Sequence, residues 1–135
     1  MIHVTLAYIF NEHGDVLIAQ RPEGKSFGLL WEFPGGKVES NETVKECIKR
    51  ELREELNVEA EALFEYPSYS FQDGDKCLEF YPIQCRISSQ KPICLEHEKI
   101  MYVSHRKFSG YDFAPPDYEA INILLCDYEK MLTRC

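Results

Sequence analysis

GGKVESNETVKECIKRELREELNV, residues 35–58, decides how the rest of the chain is read. Its middle part, Asn41 to Leu56, predicts a helix, because Leu, Glu, Lys and Arg are strong helix formers. At about 100° per residue, Val44, Ile48, Leu52 and Leu56 step round the helix by roughly 40° each and make one core-facing stripe. Glu46, Lys49, Arg50 and Arg53 fall on the opposite, exposed face. Glu51 and Glu55 land inside the apolar arc, and Glu54 at its edge. Carboxylates gathered beside a buried stripe repel one another and resist losing water. The stretch places no cation among them. A hard divalent cation with oxygen ligands would compensate them. The alternative is Glu–Lys pairing at helical spacing, which suits Lys45, Lys49 and Arg50 but leaves the arc unexplained.

The chain has 135 residues, enough for one domain with a substantial core, so residues 1–135 are expected to fold as a single unit. "MIHVTLAYIF" has no basic n-region or cleavage site, and polar "NEHGD" follows it at once. No stretch is long enough to span a bilayer, and a cytoplasmic location is expected. The six cysteines (47, 77, 85, 94, 126 and 135) form no C-x-x-C pair, so reduced, mostly buried thiols are expected in place of a zinc site or disulfide framework. A formal net charge of −8 argues against binding a nucleic-acid polymer through a basic patch. A small polyanionic ligand would need a metal ion between itself and the carboxylates.

Along the chain, "HVTLAYIF", the turn "NEHGD" and "VLIAQR" read as a β-hairpin. "PEGKSFGLLWEFPGG" is a loop with a short strand near Trp31 to Phe33, ended by Pro34-Gly35-Gly36. Val58 to Tyr66 and Lys76 to Ile87 read as strands flanking the turn "QDGD", a second hairpin. "SSQKPICLEHEK" is loop, "IMYVS" a short strand and "HRKFSGYDFAPP" irregular. Asp117 to Leu132 predicts a closing helix with Ile121, Leu124, Leu125 and Tyr128 inward. The expected architecture is α+β, an α/β/α sandwich with one mixed sheet between helices.

Two short motifs fail on context. "AQRPEGKS" imitates a phosphate-binding P-loop, but Ala19 stands at the first glycine and no helix follows Ser26. "DGDKCLE" imitates a calcium loop, but its carboxylate spacing is wrong and strands flank it. The longer pattern holds. Gly36, five residues, Glu42, seven residues and then "RELREELNV" resembles the Nudix box, G-x5-E-x7-R-E-U-x-E-E-x-G-U with U aliphatic, over residues 36–58. Asn57 stands where the box has glycine, a mild departure, because Asn tolerates the left-handed conformation that ends the helix. "WEFPGGKVE", "LIAQRP" and "DFAPPD" are similar to the MutT-like branch, which acts on nucleoside triphosphates.

The resemblance implies a Nudix-type fold and hydrolysis of a phosphoanhydride with Mg2+, or Mn2+ in its place, as cofactor. Glu51, Glu54 and Glu55 match the metal-binding glutamates, and the carbonyl of Gly35 matches a further ligand. Arg50 matches the arginine that orients the carboxylates, and Glu42, early in the helix, a structural position. Glu96, with Glu98 as second choice, matches a loop glutamate that reaches the same metals; the alternative is a solvated "EHE" turn. Glu54 or Glu96 is the expected general base. Arg21 and Lys37 are expected beside the phosphates, or else as ordinary surface cations. Phe33, with Pro34 next to it, and Phe71 match positions lining a nucleoside pocket, where a base stacks; either could instead be core. Asp117 matches a residue that reads the base edge, and after Pro-Pro it is also a good helix N-cap.

The expected reaction turns a nucleoside triphosphate into the monophosphate and pyrophosphate, with water attacking the β-phosphorus. Oxidised nucleotides such as 8-oxo-dGTP are the first-choice substrate, and CTP- or dCTP-type nucleotides the alternative. ADP-ribose and dinucleoside polyphosphates come after these. A non-catalytic Nudix binding module belongs to another class, and the full set of box glutamates argues against it. The expected partner is a small-molecule nucleotide, without a nucleic-acid polymer or membrane, for a monomer or weak dimer.

Overall fold

A computed structural model describes residues 1–88 and 91–133. Strands β1 (Ile2–Ile9), β2 (Val16–Gln20) and β3 (Trp31–Glu32) precede helix α1 (Val44–Leu56). Strands β4 (Ala60–Glu65), β5 (Tyr69–Asp73), β6 (Lys76–Ile87) and β7 (Lys99–Val103) follow, then a 3₁₀ helix (His105–Gly110) and helix α2 (Asp117–Thr133).

These strands make two sheets where one was expected. In the first, β6 lies between a parallel β1 and antiparallel β4 and β5. In the second, β2 lies between antiparallel β3 and β7. The expected first hairpin is therefore a corner. The Phe10–Val16 bridge, just past the end of β1, closes the turn, and β1 and β2 then belong to different sheets. The reason lies in their burial. Leu6 to Ile9 and Val16 to Ala19 are all buried, so both faces of each strand need cover. Leu6, Tyr8, Val16 and Ile18 pack on the α2 side with Ile121 and Leu124. Ala7, Ile9 and Leu17 pack on the α1 side with Ile48, Leu52 and Leu56. Each such large side chain, fully buried, contributes about 1.5–3 kcal/mol. The sheets are thus held between the two helices, an α/β/α sandwich.

The second hairpin also differs. A strand absent from the expectation, β5, pairs with β6 across Gly74-Asp75, from Tyr69↔Phe80 to Asp73↔Lys76. β4 pairs instead with the far end of β6. Pro67 lies in the break between β4 and β5, and cannot donate to a ladder. The stretch expected to be irregular contains the 3₁₀ helix, with Ser104 as its N-cap. In α2, Ile121 and Leu124 are buried as expected, while Leu125 and Tyr128 are half-buried. The thiols are free as expected, but fewer of them are buried than expected. Cys47 and Cys85 are buried, Cys77 is half-buried, and Cys94 and Cys126 are exposed, and these five form no disulfide. Cys135 lies outside the described residues, as do Ser89 and Gln90 in the expected loop. Among the described residues no helix is long and apolar enough to cross a membrane.

Candidate active site

α1 starts at Val44 rather than Asn41, because Thr43 caps it. Thr43 Oγ1 accepts from the Glu46 N–H at 3.1 Å, and Glu46 Oε1 accepts from the Thr43 N–H at 2.9 Å. Asn41 lies outside the helix with φ 68°. The helix ends at Asn57 with φ 55° and ψ 43°, the left-handed cap expected of an asparagine there. One turn of this helix carries Glu51, Glu54 and Glu55.

Arg50 is not on an exposed face. Its side chain is 21% exposed and donates from Nε and Nη2 to Glu42 at 2.6 and 2.9 Å, and from Nη1 to Glu51 at 2.9 Å and Glu54 at 3.2 Å. The carboxylates therefore have a protein cation among them, contrary to the sequence expectation. Helical wheels place Cα atoms, and a long guanidinium reaches round the cylinder. Glu42 precedes the helix rather than opening it, and its bonds to Arg50 hold its carboxyl down to about 2.

Glu55 lies beyond Arg50's reach in the hydrogen-bond network. It is 6% exposed, and its carboxyl is pushed up to about 10 by burial first and then by Glu51, Glu32 and Glu96. The Gly35 N–H donates to it at 3.3 Å, too long to offset that burial. Residues 34–38 run beside β1, where Ala7 N–H donates to Pro34 O and Thr5 N–H to Gly36 O, both at 2.8 Å. Alternation along an extended segment turns the Gly35 carbonyl to the other edge. A Cβ on Gly35 would strike the Thr5 carbonyl, and one on Gly36 would overlap the Glu51 carboxylate. Only glycine lets the segment lie so close to β1 at Gly35 and to the Glu51 carboxylate at Gly36.

The donor set is oxygen throughout, and the buried carboxyl at its centre lacks compensation, which suits a hard divalent cation. Among the described residues, no three acidic, imidazole or thiol side chains already stand at ligating distance of one point. Arg50 engages Glu51 and Glu54, so the donors are gathered without forming a finished cage.

A cavity of about 370 Å³ joins Gly35, Glu55 and Glu96 to Phe33 and Asp117. Val4 and Leu6 of β1, with neighbouring Leu78 and Phe80 of β6, give it an apolar floor. Phe33 is 3% exposed and packs edge-on against Tyr8 at 5.1 Å, so its ring is both core and cavity wall. Asp117 is 4% exposed, and its Oδ2 accepts from the Phe33 N–H at 2.8 Å. That bond replaces the expected N-cap, joining α2 to the end of β3. Burial, and then Glu32, push the Asp117 carboxyl well above its usual range.

The remaining expected residues separate cleanly. Lys37 is exposed and lines the cavity. Arg21 also lines it, but its guanidinium is spent on Glu32 at 2.9 Å and on the Ser26 carbonyl at 2.7 Å. Glu96 lines the cavity, whereas Glu98 does not. Pro34 is buried behind the wall, with its carbonyl on β1. Phe71 is half-buried against the core and outside the lining; its partner in the ladder, Leu78, takes that place. Glu32 and His97, absent from the sequence expectations, line the cavity together. The signal for Glu32 was the W-E-F alternation, which turns a charged residue away from two buried aromatics.

The chain belongs to the NUDIX domain family, whose model matches residues 2–122. Its relatives place it in the MutT-like branch. It is 31% identical to an 8-oxo-dGTP diphosphatase of Haemophilus influenzae over 125 residues, covering 93% of this chain and 92% of that one. It is 32% identical to a CTP pyrophosphohydrolase of Escherichia coli over 117 residues, covering 87% and 86%. Among solved structures, the E. coli ORF135 protein superposes with a TM-score of 0.81 at 29% identity, covering 93% of this chain and 89% of that one.

Proposed function

We propose that this chain is a single-domain, metal-dependent nucleoside triphosphate pyrophosphohydrolase that releases the monophosphate and pyrophosphate, and that it removes oxidised nucleotides such as 8-oxo-dGTP from the precursor pool. The observation that carries this reading is one cavity lined by Glu55, Glu96 and the buried Asp117, with Glu51 and Glu54 beside Glu55 on α1 but outside the lining. Glu51, Glu54, Glu55, Glu96 and the Gly35 carbonyl would hold magnesium, with manganese as a substitute. Bound there, the metal supplies Lewis-acid polarisation of phosphate oxygens and a more acidic water. Glu54, 50% exposed, or Glu96, also exposed, takes the proton from the attacking water as general base. Arg50 orients Glu51 and Glu54. Lys37 meets the phosphates, and Phe33 and Asp117 bound the base.

A CTP-type substrate needs Asp117 ionised, since a carboxylate only accepts hydrogen bonds and cytosine presents an amino group, whereas the neutral carboxyl that burial favours can also donate to a carbonyl such as that of 8-oxo-guanine. A turnover panel of oxidised and ordinary nucleotides decides between them. Chelation should abolish turnover and magnesium restore it. In oxygen-18 water the label should enter pyrophosphate; label in the monophosphate means attack at the α-phosphorus. Unchanged turnover in chelator would overturn the metal-dependent reading.

A further inference from the structure

The segment from Ile93 to Glu98 is pinned to the molecule at three backbone points. The Ile93 and Leu95 N–H groups donate to the last carbonyls of α1, Leu56 at 2.9 Å and Glu55 at 3.0 Å. These are helix-end carbonyls with no partner inside the helix. The Glu98 N–H donates to the Gln20 carbonyl of β2 at 2.9 Å. Between these pins stand exposed Glu96 and His97, whose side chain is 6% exposed. His97 Nε2 lies 2.9 Å from Glu32 Oε2, and the other Glu32 oxygen takes Arg21 at 2.9 Å. A carboxylate paired with a guanidinium only accepts, so Nε2 is the donor.

His97 Nδ1 is buried without a partner. An imidazole with one nitrogen orphaned is a poor choice for packing alone, where an apolar ring fills the space without that penalty. The bond to Glu32 accounts for it. We propose that His97 is a positioning residue: it fastens the loop carrying Glu96 to the strand carrying Glu32, and so sets how these two carboxylates face Glu55. All three carboxylates line the cavity. The inference rests on Glu96 facing the metal, as in the function proposed above.

His97→Gln keeps an N–H near the Nε2 position, whereas the shorter His97→Asn cannot reach Glu32. Electron paramagnetic resonance of Mn2+ with nucleotide-free protein reads the site directly, and kcat with magnesium reads the reaction. His97→Asn should weaken Mn2+ binding and lower kcat by roughly ten- to a hundredfold, the usual size for a partner one bond removed from a ligand. His97→Gln should recover most of both. In a Glu96→Gln background, His97→Asn should add less than about a twofold further loss, because the two act as a unit. Should the Asn variant fail to fold, His97→Phe supplies the comparison without a donor. Wild-type Mn2+ affinity in the donor-less variant, or His97→Gln as impaired as His97→Asn, overturns the proposal. Loss of Mn2+ binding only in the variants separates it from the metal reading, which falls with it if the wild type binds no Mn2+.

Discussion

At the scale of the residue, Glu51, Glu54 and Glu55 share one helical turn but not one environment. Glu55 is buried, the Glu51 side chain is 14% exposed and that of Glu54 is 50% exposed. Proton transfer needs the accessible one. Glu54→Gln should therefore lower kcat by about a hundredfold or more while leaving thermal stability nearly unchanged, since Arg50 keeps Glu42 and Glu51. A wild-type rate in this variant would move the general base to Glu96. Asp117→Asn tests base reading. Its amide oxygen can still accept from the Phe33 N–H, so the fold should survive for that reason rather than through helix capping. Its kcat/KM should shift by roughly ten- to a hundredfold for some bases and not others, the size of a buried hydrogen bond. Unchanged relative rates across the panel would leave Asp117 as a structural pin. The grouping of Glu51, Glu54 and Glu55 was legible because their spacing is local to one helix, and the roles proposed for them come from the resemblance to the Nudix box. Glu32 and His97 were not legible, because their significance is a contact 65 residues apart in sequence.

At the scale of the element, both helices were legible and the strand pairings were only partly so. Helical periodicity is local, and Ile48, Leu52 and Leu56 are buried where the stripe put them. Alternation identifies a strand but says nothing of its neighbour. Hence β1 and β2 were read as partners, although their buried runs required different ones. Capping sets the helix start, and the T-x-x-E pattern at Thr43 and Glu46 is a local signal for it. Thr43→Ala should cost about 1 kcal/mol in urea unfolding, the usual price of an N-cap. It should leave relative rates on different nucleotides unchanged, since Thr43 does not line the cavity. A cost near zero would mean that burial of the stripe alone holds the first turn.

At the scale of the whole molecule, the site and the stability of the fold are linked through protons. Glu55 has its carboxyl raised to about 10 against an ordinary 4.5, so across that window the metal-free folded chain holds a proton that the unfolded chain releases. Asp117 is raised with the same sign. Stability of the metal-free protein should therefore fall as pH rises from mildly acidic through neutral. Glu42 acts oppositely. Its carboxyl is lowered to about 2 by Arg50, so its contribution is present above pH 4.5 and is lost as pH falls towards 2. The metal-free protein should be most stable near pH 4–5, an order-of-magnitude placement between these opposed windows. A divalent cation favours the ionised Glu55, so binding releases a proton and grows stronger with pH. Magnesium should accordingly raise the melting temperature more at pH 8 than at pH 6. At a hundredfold excess over Kd the stabilisation is about 2.7 kcal/mol. Scanning calorimetry with chelator and with magnesium, across that pH range, reads both effects. Metal-free stability that rises from pH 5 to pH 8 would show that Glu55 is already ionised and compensated by the protein alone.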